Sequence, residues 1–220
     1  ELRRLPALRP LAANPLLLSI ICLVTAGPQG VKLPATRGTL YEAAITRMIG
    51  RPPRVPSKEI YLGVAEPLAA EKKLYLEELA LDLWLRDEGR QLIFPEQTLL
   101  ESLQAVLKRK GDWSKLARCL VRDWTGNSGL LRQADGGRYA FLHLTLQEYL
   151  VANALARRVS DGAGGGWEEA RVACGGQRVR IAELLEDKAW DGGWREVICL
   201  LAGRLDRLDG LLALLVGATS

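Results

Sequence analysis

The chain has 220 residues, of which 48% are hydrophobic and 25% charged, with 22 glycines and 10 prolines, a globular composition that excludes disorder and collagen. Thirty lysines and arginines against 26 aspartates and glutamates leave a formal charge of +4, and because the charges are interspersed they argue only weakly for a nucleic-acid partner. At about 150 residues per domain the length suggests one or two domains, able to bury a core without disulfide staples.

The first element is an almost continuous apolar run from Asn14 to Ala26, with Pro15 at a favourable first helical position and Asn14 in place to cap it. Its apolar part is about half of the roughly 20 residues a bilayer-spanning helix needs, so no membrane span is expected. Glu1 opens no basic leader or apolar signal region, so the chain is expected to be cytoplasmic and cut from something longer. Gly27, Pro28, Gly30 and Pro34 punctuate a loop, and Thr39 to Glu42 matches a capping box opening a helix to about Gly50. Arg51 to Pro56 is a proline-rich break.

From Ser57 to Glu88 the pattern is helical, interrupted near Pro67, with Leu76, Leu79, Ala80 and Leu83 at helical spacing and Trp84 and Leu85 widening the face. Pro95 starts the next helix, whose Leu99, Leu100, Leu103, Val106 and Leu107 form a core stripe up to Gly111. Asp112 caps a third, with Leu116, Leu120, Val121 and Trp124 inward. After Gly126 two short segments, Leu130 to Gln133 and Arg138 to Leu142, flank Asp135-Gly136-Gly137, which predicts a β-hairpin. A helix from Thr145 to about Val159 follows. Three helices, a hairpin wing and a further helix are the layout of a winged-helix domain.

Ser160 to Gly166 reads as a linker. Trp167–Gly175, Arg178–Trp190, Trp194–Leu205 and Leu208–Val216 then read as short helices stacked in pairs. The last is apolar enough to expect further protein over it. The predicted fold class is therefore mainly α: a small helical domain over 1–66, a winged-helix domain with one β-hairpin wing over 67–160, and the start of a helical superstructure over 161–220.

Chemistry concentrates at Phe141 to Leu150, FLHLTLQEYL, where Thr145 to Glu148 offers a second capping box. This places His143 just before a helix N-terminus, whose free amides and positive dipole favour an anion such as phosphate. An imidazole N–H there either donates to that phosphate or bonds a backbone carbonyl at the strand-helix junction. Cys22, Cys119, Cys174 and Cys199 lie far apart among apolar residues and read as reduced core thiols, and the only histidine has no nearby cysteine, so no metal site is expected. No nucleophile elbow or catalytic triad stands out, and no catalytic residue is assigned.

Three stretches stand out in order along the chain: ANPLLLSIICLV with LPATRGTLYEAAI, then SGLLRQADGGRYAFLHLTLQEYLVANAL, then WREVICLLAGRL. Together they resemble the NACHT-type signal-transduction ATPases of the STAND class, which include bacterial NOD-like receptors. The resemblance implies the regulatory segment that follows the nucleotide-binding core. It implies that Pro15 packs on adenine and that His143, in the FxHxTxQE motif, bonds the β-phosphate of ADP in the autoinhibited state. Leu146 stands where phenylalanine is commoner. No G-x-x-x-x-G-K-[ST] occurs, so ADP or ATP with Mg is expected only with a P-loop core upstream, and the fragment by itself is expected to be no enzyme and to hold no cofactor. The resemblance further implies an intramolecular contact with that core, homo-oligomerisation of the activated parent, and a role in signalling or defence.

Two other readings stand beside this one. Lys115, Arg118 and Arg122 on the third helix, with Arg132 and Arg138 on the wing, suit a winged-helix nucleic-acid binder, but Asp112, Asp123 and Asp135 dilute the patch, and no nucleic-acid partner is expected. A nucleotide-independent protein-binding scaffold from Trp167 onward is the other.

Overall fold

The computed structural model describes residues 15–25, 34, 36–86, 92–107, 111–161, 166–174 and 177–217. Helix α1 (Pro15–Thr25) packs on α2 (Arg37–Ile49), which buries Leu40, Tyr41, Ala44, Ile45 and Met48. After the short α3 (Ser57–Ile60) comes α4 (Ala69–Arg86), whose Leu76, Leu79, Ala80, Leu83 and Trp84 are buried at the predicted spacing. Strand β1 (Phe94–Pro95) leads into α5 (Glu96–Leu107) and α6 (Trp113–Asp123), which continues as a π-helical turn over Trp124–Ser128. Strands β2 (Leu131–Ala134) and β3 (Arg138–Phe141) form the wing, and α7 (Leu144–Asp161) follows.

The sheet order β1-β3-β2 and the sequence helix, strand, helix, helix, hairpin are those of a winged helix. The wing turn requires positive φ at Gly136 (70°) and Gly137 (69°), which glycine adopts without a Cβ penalty. Antiparallel register runs from Leu131↔Phe141 to Ala134↔Arg138. β1 extends the sheet through Phe94↔Tyr139 and was not expected; its Pro95 lacks an amide and so suits an edge strand, with α5 starting at the next residue.

Helix α7 is the centre of the core. It packs against α4, against α2 and against α10 (Arg195–Ala202), and Tyr149 through Leu155 are all buried. Tyr41 of α2 meets Tyr149 with ring centroids 5.7 Å apart, and Trp84 of α4 meets Trp194 edge-on at 6.2 Å. Each such buried large side chain contributes about 1.5 to 3 kcal/mol relative to exposure, so α7 is held from three sides. The loop between α2 and α3 is tied down separately: Asn127 accepts from the Val55 amide (2.9 Å) and donates to its carbonyl (3.2 Å) and to Asp123 (2.8 Å).

The C-terminal part departs from expectation. The stretch read as helix over 167–190 instead contains a short α8 (Gly166–Glu169), a hairpin of β4 (Arg171–Cys174) and β5 (Gln177–Arg180), and α9 (Ile181–Lys188). Pairing Val172↔Val179 and Arg171↔Arg180 puts the valines on the inner face and the arginines outside, a period-2 pattern that four-residue segments express only weakly. Helices α10 and α11 (Asp209–Gly217) lie where predicted; in α11 Leu211 is buried while Leu212 and Val216 are exposed. The cysteines are free, but only Cys119 is buried; Cys22 and Cys199 are exposed because the turn of their helices points them away from the core. No described helix is long and apolar enough to cross a membrane.

Both predicted capping boxes are displaced. Helix α2 is capped by Thr36, whose hydroxyl accepts from the Thr39 amide while Thr39 accepts from the Thr36 amide, both at 3.2 Å. Glu42 is thereby left for other partners. Asn14 lies outside the described residues.

Candidate functional site

His143 sits in the gap between β3 and α7. On the strand side, the Leu142 amide donates to the Leu130 carbonyl at 2.9 Å, holding the chain against β2. On the helix side, the His143 carbonyl accepts from the amides of Leu146 (3.1 Å) and Gln147 (3.3 Å), which makes His143 the residue that caps α7. Its ring completes the cap: Nδ1 accepts from the Thr145 amide at 3.1 Å. Thr145, expected to cap, is instead in the first turn, because the imidazole reaches the free amide first. The backbone contact is thus the reverse of the carbonyl bond considered from sequence.

That bond fixes the chemistry of the other nitrogen. A neutral imidazole with Nδ1 as acceptor carries its proton on Nε2, and Nε2 has no hydrogen-bond partner among the described residues. Burial holds the His143 pKa below its ordinary 6.5, so at neutral pH the ring is an uncharged N–H donor in one tautomer. Leu142 and Leu144 flank it with 40% and 36% of their surface exposed. A fixed donor with an apolar rim suits an acceptor covered by another protein surface.

Pro15 is the first residue of α1 and is exposed; its carbonyl accepts from the Ser19 hydroxyl at 2.9 Å. No hydrogen bond, ion pair or ring contact among the described residues joins it to His143. The two residues stand on separate elements, linked through α2, which touches both α1 and α7.

Polar ties not foreseen from sequence hold α7 in place. The Tyr149 hydroxyl donates to Glu42 of α2 at 2.5 Å, and Lys73 of α4 pairs with the same carboxylate. Glu77, buried on α4, lies 3.7 Å from Lys73 and 3.6 Å from Arg157 of α7, and accepts from Asn153 at 3.3 Å. Arg157 also reaches Glu78 at 2.6 Å, and Arg158 pairs with that carboxylate too. Burial pushes the Glu77 pKa up, with Lys73 and Arg157 opposing. The signal available in the sequence was Lys73-Glu77 at i,i+4 on a face otherwise too apolar for solvent.

A second polar cluster sits near the start of α7. Arg37 of α2 pairs with Glu196 of α10 at 2.8 Å, and Glu148, predicted as a capping glutamate, is buried beside them on α7. Its carboxyl is pushed up to about 7, by burial first and then by Glu196, with Arg37 opposing. Among the described residues no three His, Cys, Asp or Glu side chains group as a metal ion would need.

Residues 38–155, more than half of the chain, match the family described as winged helix-turn-helix domain C-terminal to NACHT. The matched stretch runs from α2 into α7 and includes the wing and the His143 junction. No curated protein matches the chain.

Proposed function

This chain belongs to the family of winged helix-turn-helix domains that lie C-terminal to NACHT, and on that premise we propose that it is the regulatory segment of a NACHT-type ATPase, sensing which nucleotide the core holds. The observation that carries the reading is the His143 ring, held neutral by burial and in one tautomer by the Thr145 amide, with its Nε2–H turned to no described partner. In the resting parent, His143 donates that proton to the β-phosphate of ADP, and Leu142 and Leu144 pack on the core around it. Pro15 lies against the adenine. ADP or ATP, with Mg, is held by the P-loop of the upstream core, a motif this chain lacks.

His143 loses its acceptor when ATP replaces ADP; the winged-helix domain is then released and copies of the parent assemble. A hydrogen bond to a charged acceptor contributes about 1.5 to 3 kcal/mol, which matches the 1 to 3 kcal/mol typical of allosteric coupling. In this reading 1–66 is the small helical domain, 67–160 the mobile winged-helix domain and 161–220 the start of a helical sensor, in a cytoplasmic signalling or defence protein.

The test is made in the parent protein carrying its NACHT core. Wild type and His143→Ala are purified without added nucleotide and denatured, and the released nucleotide is quantified. Near-stoichiometric ADP from wild type and several-fold less from the variant is the expected result; equal ADP from both removes His143 from the nucleotide contact. Pro15→Gly is expected to lower retention more modestly.

A further inference from the structure

Helix α6 occupies the position that, in helix-turn-helix proteins, enters a nucleic-acid groove: it follows α5 in chain order and precedes the wing. Its exposed residues are Lys115, Arg118 and Arg122, and every one is cationic. They recur at i, i+3 and i+7, which puts them on one face along about 10 Å of helix. None of the three pairs with a carboxylate among the described residues. The wing adds Arg132 and Arg138, both exposed and diagonal neighbours in the β2–β3 register. Strand β2 contacts the π-helical end of α6, so wing and helix are adjacent.

What weakens this patch in the sequence is its aspartates, and the structure removes the nearest one. Asp123 is buried, accepts from the Tyr61 hydroxyl at 2.9 Å and from Asn127 at 2.8 Å, and pairs with Lys72 at 2.9 Å. It anchors the inner side of α6 and leaves the outer face to the three cations. Asp112 remains exposed at the first end of α6 and Asp135 at the wing turn, both at the margins.

We infer that the outer face of α6 with Arg132 and Arg138 is a binding surface for duplex DNA, contacting its phosphates. The inference goes beyond the nucleotide switch and uses none of its residues. DNA fits better than duplex RNA because the B-form major groove admits an α-helix, whereas the A-form major groove is too narrow for side chains to enter.

The test uses the 220-residue chain and a fluorescein-labelled mixed-sequence duplex of about 20 base pairs, followed by anisotropy from 50 to 200 mM KCl. Binding at 50 mM that weakens with salt at a logarithmic slope of about −3 to −4 is expected, corresponding to roughly four phosphates. Arg118→Gln with Arg122→Gln is expected to weaken binding at least tenfold and to flatten the slope by about 2. Both residues are exposed, so an unchanged thermal melt is expected to show the fold intact. Arg171→Gln with Arg178→Gln, on exposed positions of the β4–β5 hairpin, is the control and should change affinity less than twofold. The inference is overturned by no binding at 50 mM, by loss of binding in the hairpin variant rather than the α6 variant, or by equal binding of an RNA duplex or of polyglutamate.

Discussion

His143 is the only histidine in the chain, so its protonation can be read without assignment ambiguity. Burial disfavours the imidazolium, and protonating Nδ1 would also break the bond from the Thr145 amide. Both act in one direction: a histidine held below 6.5 in the folded state costs stability as pH falls through the unfolded value near 6.5. Long-range proton–nitrogen NMR of the chain should show the Nε2–H tautomer at pH 7.5, with a midpoint below 6.5 accompanied by a shift of the Thr145 amide. A midpoint above 6.5, or the Nδ1–H tautomer, would contradict the capping geometry.

Glu148 has the opposite dependence. Its carboxyl, raised to about 7 among Arg37, Glu196 and Tyr41, stabilises the folded chain while protonated. That contribution is complete below the unfolded value of about 4.5 and is lost as pH rises through 7; it is on the order of 3 kcal/mol. Glu148→Gln, which mimics the protonated form, is expected to raise the melting temperature by several degrees at pH 8 and to leave it nearly unchanged at pH 4.5. An equal effect at both values would show that Glu148 is not the titrating group.

Among the elements, α4, α5 and α6 were legible because their apolar residues recur every three or four positions, and the wing because Asp135-Gly136-Gly137 separates two short apolar segments. β1 was not, since two residues cannot display alternation and the strand exists only because the edge of β3 is free to pair. The β4–β5 hairpin carried a signal, Gly175-Gly176 between two alternating segments, but its arginines, alanine and flanking glutamates also suit helices. The position of His143 could be read from its motif; the Nδ1 cap could not, because Thr145 and Glu148 satisfied the same local pattern and tertiary burial decided between them. At this scale Leu155→Ala, in the fully buried middle of α7, is expected to cost about 2 to 5 kcal/mol in urea denaturation. Gly137→Ala has open space for its Cβ but φ of 69°, so a loss of only about 1 kcal/mol is expected.

Over the whole molecule, α7 joins the parts that a switch must couple. It begins at His143, continues past Glu148 beside the Arg37–Glu196 pair, and meets Glu42, Glu77 and Glu78 through Tyr149, Asn153, Arg157 and Arg158. A change of contact at His143 therefore acts on one end of a rigid element packed against α2, α4 and α10. The most direct test is calorimetric titration of the nucleotide-free parent with ADP and with ATP, for wild type and His143→Ala. The proposal requires ADP affinity to fall roughly ten- to a hundredfold, the equivalent of one charged hydrogen bond, with ATP affinity changed less than threefold. Equal losses for the two nucleotides, or none for either, would contradict a donor that distinguishes the resting state.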